Sequence, residues 1–195
     1  MLRTLAFAAL LLVAALPASA GLNEGVAALD RGDYGTAYLE FKPLAEQGDA
    51  IAQLNLGFMY EKGWGVPKNY REAAHWYRKA ALQGDAMAQF NLGFMYEKGW
   101  GVPKNYREAF RWYRKAADTG HAKAQGNLGV MYASARGVPK DNVQAYMWMS
   151  LAAVAGNKIA AENLEILEKR MTPAQVAKAQ KMAAKWRPNK ATPAK

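Results

Sequence analysis

Residues 61–73 read EKGWGVPKNYREA, and residues 97–109 spell the same run again, letter for letter. The identity sits inside a longer register. GDAIAQLNLGFMYEKGWGVPKNYREAAHWYRKAALQ starts at Gly48 and GDAMAQFNLGFMYEKGWGVPKNYREAFRWYRKAADT starts at Gly84, 36 residues further on. A looser copy starts at Gly120, and Gly156 opens the terminal segment. Residues 21–47 read as a degenerate first unit, because GDYGTAYLEFKPLAEQ aligns under KNYREAAHWYRKAALQ with the loop before it cut short. Self-similarity at a fixed period in this range confines the chain to a stacked array, since one unit buries its apolar face only against its neighbours.

Punctuation divides each unit into two helices. In the first, Ala52, Leu56, Met59 and Tyr60 recur at helical spacing, and Gly63 stands where a left-handed C-terminal residue is wanted. WGVPK follows, a loop through which neither helix continues because of Gly65 and Pro67. Asn69 with Glu72 then has capping-box spacing, kept in other letters as Asn105 with Glu108 and Asp141 with Gln144. The second helix places Ala73, Trp76, Tyr77, Ala80 and Ala81 on one stripe, repeated as Ala109, Trp112, Tyr113, Ala116, Ala117 and as Ala145, Trp148, Met149, Ala152, Ala153. The loop residues Trp64 and Trp100 either fold back over the helix pair or stay free to stack on sugars or a partner.

After Gly156 the pattern changes. Lys158 to Met171 reads as one helix, and Thr172-Pro173-Ala174-Gln175 opens another with an N-cap, an N1 proline and a box glutamine. That last helix sets Val176, Ala179, Ala183 and Trp186 on one face and Lys178, Lys181 and Lys185 on another, as the end of an array requires. The expected fold class is therefore all-α, a right-handed α-α superhelix with a C-terminal capping helix pair. Its units are a degenerate repeat at 21–47, repeats at 48–83, 84–119 and 120–155, capping helices at 156–187 and a disordered polar tail at 188–195.

The first twenty residues read as a signal peptide: Arg3, an apolar run from Leu5 to Leu16, and small residues Ala18-Ser19-Ala20 before Gly21. The run is too short for a spanning helix, so no transmembrane segment is expected after cleavage. The expected destination is the periplasm, with full secretion as the alternative. The chain has no cysteine, so packing alone must hold it together and the redox state of the compartment is immaterial. Loss of Arg3 with the leader lowers the net charge from +10 to +9, a balance suited to anionic surfaces. In an exported protein this reads either as weak contact with an anionic envelope surface or as a solvated basic surface that keeps the protein soluble. Nucleic acid is not expected as a partner.

The units carry A-Q-x-x-L-G-x-x-Y, then G-x-G-V (with Ala135 for the first Gly in the third unit), then a helix with E/Q-A-x-x-W, and the stretch AYMWMSLAA lies at 145–153. In these features the chain resembles the Sel1-like repeat family, relatives of the tetratricopeptide repeats, from about Asn23 to Met171. The resemblance implies an adaptor or scaffold that binds other proteins. A cysteine-rich exported branch of that family is associated with penicillin binding and beta-lactamase activity, and this chain lacks every cysteine of that branch.

On the first helices a second face is also apolar. Leu54 and Phe58, Phe90 and Phe94, then Gly126 and Val130 lie one turn apart at matching places, with Asn55, Asn91 and Asn127 beside them. An amide column of this kind pairs with an extended peptide backbone while the apolar column takes its side chains. The alternative is that each Asn satisfies a neighbouring backbone group and each Phe fills the inner curve. By resemblance to tetratricopeptide domains, Asn55, Asn91 and Asn127 would contact a bound peptide, and Lys123 stands where some of those domains hold a carboxylate. Ile51 and Met87 occupy the aligned positions, so a full carboxylate clamp is not expected.

Catalysis has little to stand on. His75 aligns with Arg111 and His121 with Asp85, which makes both surface residues in expectation, and Glu61 and Glu97 read as solvated helix-end charges. There is no His-Glu-x-x-His, phosphate loop or serine elbow. No catalytic, metal or cofactor site is expected. Two readings follow: a noncatalytic exported scaffold holding a protein or peptide along its concave face, and an envelope enzyme or binder acting on peptidoglycan-type or beta-lactam ligands.

Overall fold

The structure, a computed structural model, describes residues 18–189. The leader up to residue 17 and the tail from residue 190 lie outside the described residues. Among the described residues ten α-helices follow one another: α1 (Ala18–Asp30), α2 (Tyr34–Glu46), α3 (Ala50–Lys62), α4 (Tyr70–Leu82), α5 (Ala86–Lys98), α6 (Tyr106–Asp118), α7 (Ala122–Ser134), α8 (Asn142–Val154), α9 (Lys158–Glu168) and α10 (Pro173–Lys185). Each helix up to α9 packs on the one before it, the connectivity of an α-α solenoid. The expected cleavage point before Gly21 falls inside α1.

Within a unit the two helices approach closely because of one glycine. A Cβ at Gly57 would lie 2.6 Å from the Tyr77 ring, and one at Gly93 would lie 2.8 Å from the Tyr113 ring. The aromatic rings therefore lie flat against backbone, and both tyrosines are fully buried. The stripes read from sequence form the core, except that Ala153 is only half-buried.

Helix ends follow the expected chemistry with one difference. Gly63 and Gly99 cap α3 and α5 in the left-handed region, with φ of 77° and 76°. Asn69, Asn105 and Asp141 each accept from two amides at the start of α4, α6 and α8. The return half of the capping box does not form there. The Asn69, Asn105 and Asp141 amides instead donate to the carbonyls of Tyr60, Tyr96 and Tyr132, which closes the loop across the helix pair and leaves Glu72, Glu108 and Gln144 nothing to reach for. Among the described residues only Thr172 with Gln175 completes a box, at the start of α10.

The third unit has Ala135 where the others have glycine, at φ 54°. An L side chain pays for that conformation, so Ala135→Gly should stabilise the protein by about 1 kcal/mol. A urea midpoint that does not rise would show that the left-handed cap is unstrained.

The loop tryptophans fold back, and onto the preceding unit. Trp64 stacks on Tyr34 at 4.8 Å and 6°, and Trp100 on Tyr70 at 4.8 Å and 25°. In the third unit Arg136 takes that place, 5.8 Å from the Tyr106 ring centre. Beside each sits a glycine, Gly65, Gly101 or Gly137, whose missing Cβ faces the carbonyl of the same tyrosine. The loop is thus a clip between units.

The C-terminal end differs from expectation in three ways. α9 stops at Glu168, short of Met171. α9 and α10 each pack on α8 and hardly on each other, so they are not a hairpin. Glu165 stands in α9 where Gly57, Gly93 and Gly129 stand in the complete units, and its side chain bars the close approach a partner helix would need. α10 instead covers Trp148 with Trp186, ring centres 6.1 Å apart. In the earlier units the matching Trp76 and Trp112 are covered by Lys79 and Lys115, at 4.4 and 4.5 Å from the ring centres. The third difference is at residue 189: the Asn189 amide donates to the Asp118 carbonyl at 2.8 Å, which docks the start of the tail on the end of α6.

Candidate functional groove

The first helix of each unit presents its N-terminal half and one side to a common face. Asp49 and Asp85 cap α3 and α5 by accepting from the Ala52 and Ala88 amides at 2.8 and 2.7 Å. These caps fix where each first helix begins, and so keep residues 36 apart in step along the face. Two hollows open on it. One, of about 600 Å³, lies among α5, α7 and α9 and is lined by Phe90, Phe94, Lys123, Asn127, Val130 and Ile159 among others. The second, of about 510 Å³, lies among α3, α5 and the start of α7 and takes in Phe58, Phe90, Asn91, Phe94 and Lys123. Phe90, Phe94 and Lys123 border both, which makes one continuous groove.

Seven of the nine residues singled out from sequence line this groove: Phe58, Phe90, Asn91, Phe94, Lys123, Asn127 and Val130. Leu54 does not. It is buried in the core cluster that also holds Ala74, Ala81, Leu92 and Trp112, and which draws on its own unit and the next. Asn55 lines neither hollow, and its Nδ2 donates to the Ile51 carbonyl one turn back at 3.0 Å. The Asn91 Nδ2 is buried without any such acceptor. The phenylalanines are half-buried and braced from behind: Phe58 meets Tyr77 edge-on at 5.6 Å, and Phe94 meets Trp100 edge-on at 5.4 Å.

The electrostatics are simple. Lys123 is exposed on the groove rim. Glu61 is not the free helix-end charge expected from sequence: it accepts from the Tyr77 hydroxyl at 2.7 Å and from Lys62 at 2.9 Å. Glu97 accepts likewise from Tyr113 at 2.8 Å. Burial first, and then the adjoining carboxylate, push both tyrosine hydroxyls far above their ordinary range, so they remain donors.

His121 is a further correction. It is half-buried, stacks on Phe90 at 4.9 Å, and its Nδ1 accepts from the Ala124 amide at 3.2 Å as the N-cap of α7. His75 is exposed, as expected. Burial, and next the Lys123 ammonium, lower the His121 pKa below the ordinary 6.5. The unfolded chain then binds the proton more readily than the native one. The cap's contribution is accordingly complete above pH 6.5 and is lost as pH falls through the lowered native value. Acidification through that range should therefore lower the stability of the native protein. In His121→Asn that loss should vanish from the pH dependence of thermal unfolding; an unchanged pH profile would remove the histidine from this role.

Other residues hold the groove in place and carried no role in the sequence reading. Gln53, Gln89 and Gln125 are buried, and their Nε2 atoms donate to the carbonyls of Ala45, Ala81 and Ala117 at 3.0, 3.1 and 3.2 Å. Those carbonyls end the second helix of the preceding unit, so each amide joins two units. Gln83 completes the first junction by donating to the Gln53 Oε1 at 2.8 Å. Thr119 occupies the matching place in the next unit and does not reach, which leaves the Gln89 Oε1 without a partner. The 36-residue register contained a signal for both networks: Gln recurs unchanged, and where Tyr gives way to Met149 the matching Glu gives way to Ala133.

Among the described residues there is no cluster of His, Asp and Glu fit to hold a metal ion, and no helix long and apolar enough to cross a membrane. The family description "Sel1 repeat" matches residues 50–85, 86–121 and 122–157. A protective antigen of uropathogenic Escherichia coli with an SLR fold is 38% identical, with a TM-score of 0.72 over 77% of this chain. The match spans 32% of the antigen's own chain, about a third of its length. A Sel1 repeat protein from Oxalobacter formigenes is 36% identical with the same TM-score of 0.72, over 82% of this chain and 68% of that one. No curated protein matches the chain. Sel1 repeat proteins are in general protein-interaction scaffolds. Three consecutive repeats in one unbroken stack, with close structural counterparts, make this chain a member of the Sel1 repeat family.

Proposed function

We propose that the protein is an exported, noncatalytic scaffold that holds an extended segment of a partner protein along the groove formed by α3, α5 and α7. The observation that carries the reading is the groove itself. Phe58, Phe90 and Phe94 are braced from behind yet half-open, and Asn91 and Asn127 line the same surface. Aromatic faces take side chains, and the Asn127 amide on the groove wall is suited to pair with an extended backbone. The basic surface speeds encounter with acidic partners and favours weak contact with an anionic envelope.

Selection of a random displayed-peptide library on the full chain tests the groove. Selected peptides should bind the native protein and lose most affinity to Phe94→Ala combined with Asn127→Ala. Equal binding to that variant, with its fold intact by circular dichroism, would move the site elsewhere. For export, cell fractionation with N-terminal sequencing should find Gly21 as the first residue in the periplasmic fraction. Recovery of Met1 in the cytoplasm would end the export reading.

A further inference from the structure

The repeats allow residues 36 apart to be compared as alternatives at one place. On the groove face the third unit departs from the others in a single direction. Leu54 and Phe90 give way to Gly126, and Phe58 and Phe94 give way to Val130. Ile51, Met87 and Ile159 are apolar at a position where the third unit alone has Lys123. All three altered residues line the hollow of about 600 Å³, a size within the roughly 300–1,000 Å³ usual for ligand pockets. Phenylalanine has given way to the smaller Val130 in the wall of the hollow, the Asn157 side chain has taken the place in front of Gly126, and one cation has been set at the rim.

The rest of the lining agrees. Phe90, Phe94 and Ile159 supply apolar wall, Lys158 adds a second exposed cation, and no acidic residue borders the hollow. The neighbouring hollow has Glu61, but that carboxylate is taken up by Tyr77 and Lys62.

We propose that this hollow is an anchor pocket for one bulky apolar side chain of the bound segment, and that Lys123 and Lys158 select carboxylates flanking that anchor. The partner is therefore an acidic segment carrying an aromatic or large aliphatic residue. The proposal rests on the groove reading above and adds the chemistry of what the groove prefers. The apolar side chain supplies affinity by leaving water, and the lysines discriminate by charge.

Gly126 itself is unsuited to the test, because an added Cβ would lie 2.9 Å from the Asn157 Nδ2, and Asn157 caps α9 by accepting from the Ala160 amide. Val130 is suited, since Val130→Phe only restores what Phe58 and Phe94 already are in their units. Lys123 is exposed, so Lys123→Glu leaves the core untouched.

The experiment is fluorescence anisotropy on the full chain with three labelled peptides of equal length. One is acidic with a central Trp, one acidic with a central Ala, and one has Lys at every acidic position around Trp. The acidic Trp peptide should bind tighter than either of the others by about tenfold or more, a difference of about 1.4 kcal/mol. Val130→Phe and Lys123→Glu should each remove most of that advantage, with thermal unfolding unchanged. Equal affinity for the three peptides, or Val130→Phe and Lys123→Glu proteins that bind like the native one, overturns the proposal. If those two variants bind normally while Phe94→Ala with Asn127→Ala does not, the pocket assignment fails and the groove reading stands. If no displayed or labelled peptide binds at all, both fall.

Discussion

Gly101→Ala is expected to be among the most damaging single substitutions in the chain, at about 3 kcal/mol or more, although it adds one methyl group to a surface loop. Two costs coincide. Gly101 has φ 68°, in the left-handed region, where an L residue costs about 1–2 kcal/mol. The new Cβ would also overlap the Tyr70 carbonyl oxygen and come within 2.7 Å of the Arg71 amide nitrogen, both at the start of a helix in the preceding unit. Backbone held in a helix cannot swing aside as a side chain can, so the clip between units must open and Trp100 must leave Tyr70. Gly99→Ala is the control. It shares the conformation, φ 76°, but its Cβ would come no closer than 3.2 Å to any atom, the Lys104 Cβ, with the Lys104 backbone at an ordinary 3.5 Å, so about 1–2 kcal/mol is expected. Urea unfolding of the pair should differ in shape as well as midpoint, because weakening one junction of an array lets its two sides unfold apart. Equal effects for Gly99→Ala and Gly101→Ala would show that the loop does not clip the units together.

Tyr113→Ala is the second large expected effect, about 3–5 kcal/mol, since it empties a fully buried site against the Gly93 backbone. Tyr113→Phe keeps the ring and removes only the hydroxyl that donates to Glu97, at a cost of about 1.5 kcal/mol. The third unit suggests a sharper test, because it has dropped both partners, with Met149 and Ala133 in their places. Tyr113→Met combined with Glu97→Ala should therefore cost less than the sum of the two single changes, a coupling that a double-mutant cycle measures directly. Strict additivity would mean that the hydroxyl and the carboxylate contribute nothing to each other.

Much of the groove was legible in the sequence because period and phase are local quantities. Once Phe90 and Phe94 are known to lie one turn apart on a first helix, and Val130 to match Phe94, they must share a face. Leu54 shows the limit of that reasoning. It matches Phe90 in phase, yet it is buried in a cluster shared between its own unit and the next. Glu61 and Glu97 mark the same limit: a carboxylate at a helix end looks solvated until a tyrosine from the next helix reaches it.

The sequence by itself determined the array, its helix boundaries to within a few residues, the stripe of each second helix and the loop as a fixed part. These follow from spacing and from backbone chemistry that acts within a few residues. Only the tertiary structure decided which residue of one unit meets which of the next. Trp100 on Tyr70, Gln89 on the Ala81 carbonyl, the docking of α10 on α8 rather than α9, and the hollow beside Gly126 all depend on the relative placement of separate helices. Periodicity says which side of a helix is buried. The packing of whole side chains in three dimensions sets what that side is buried against.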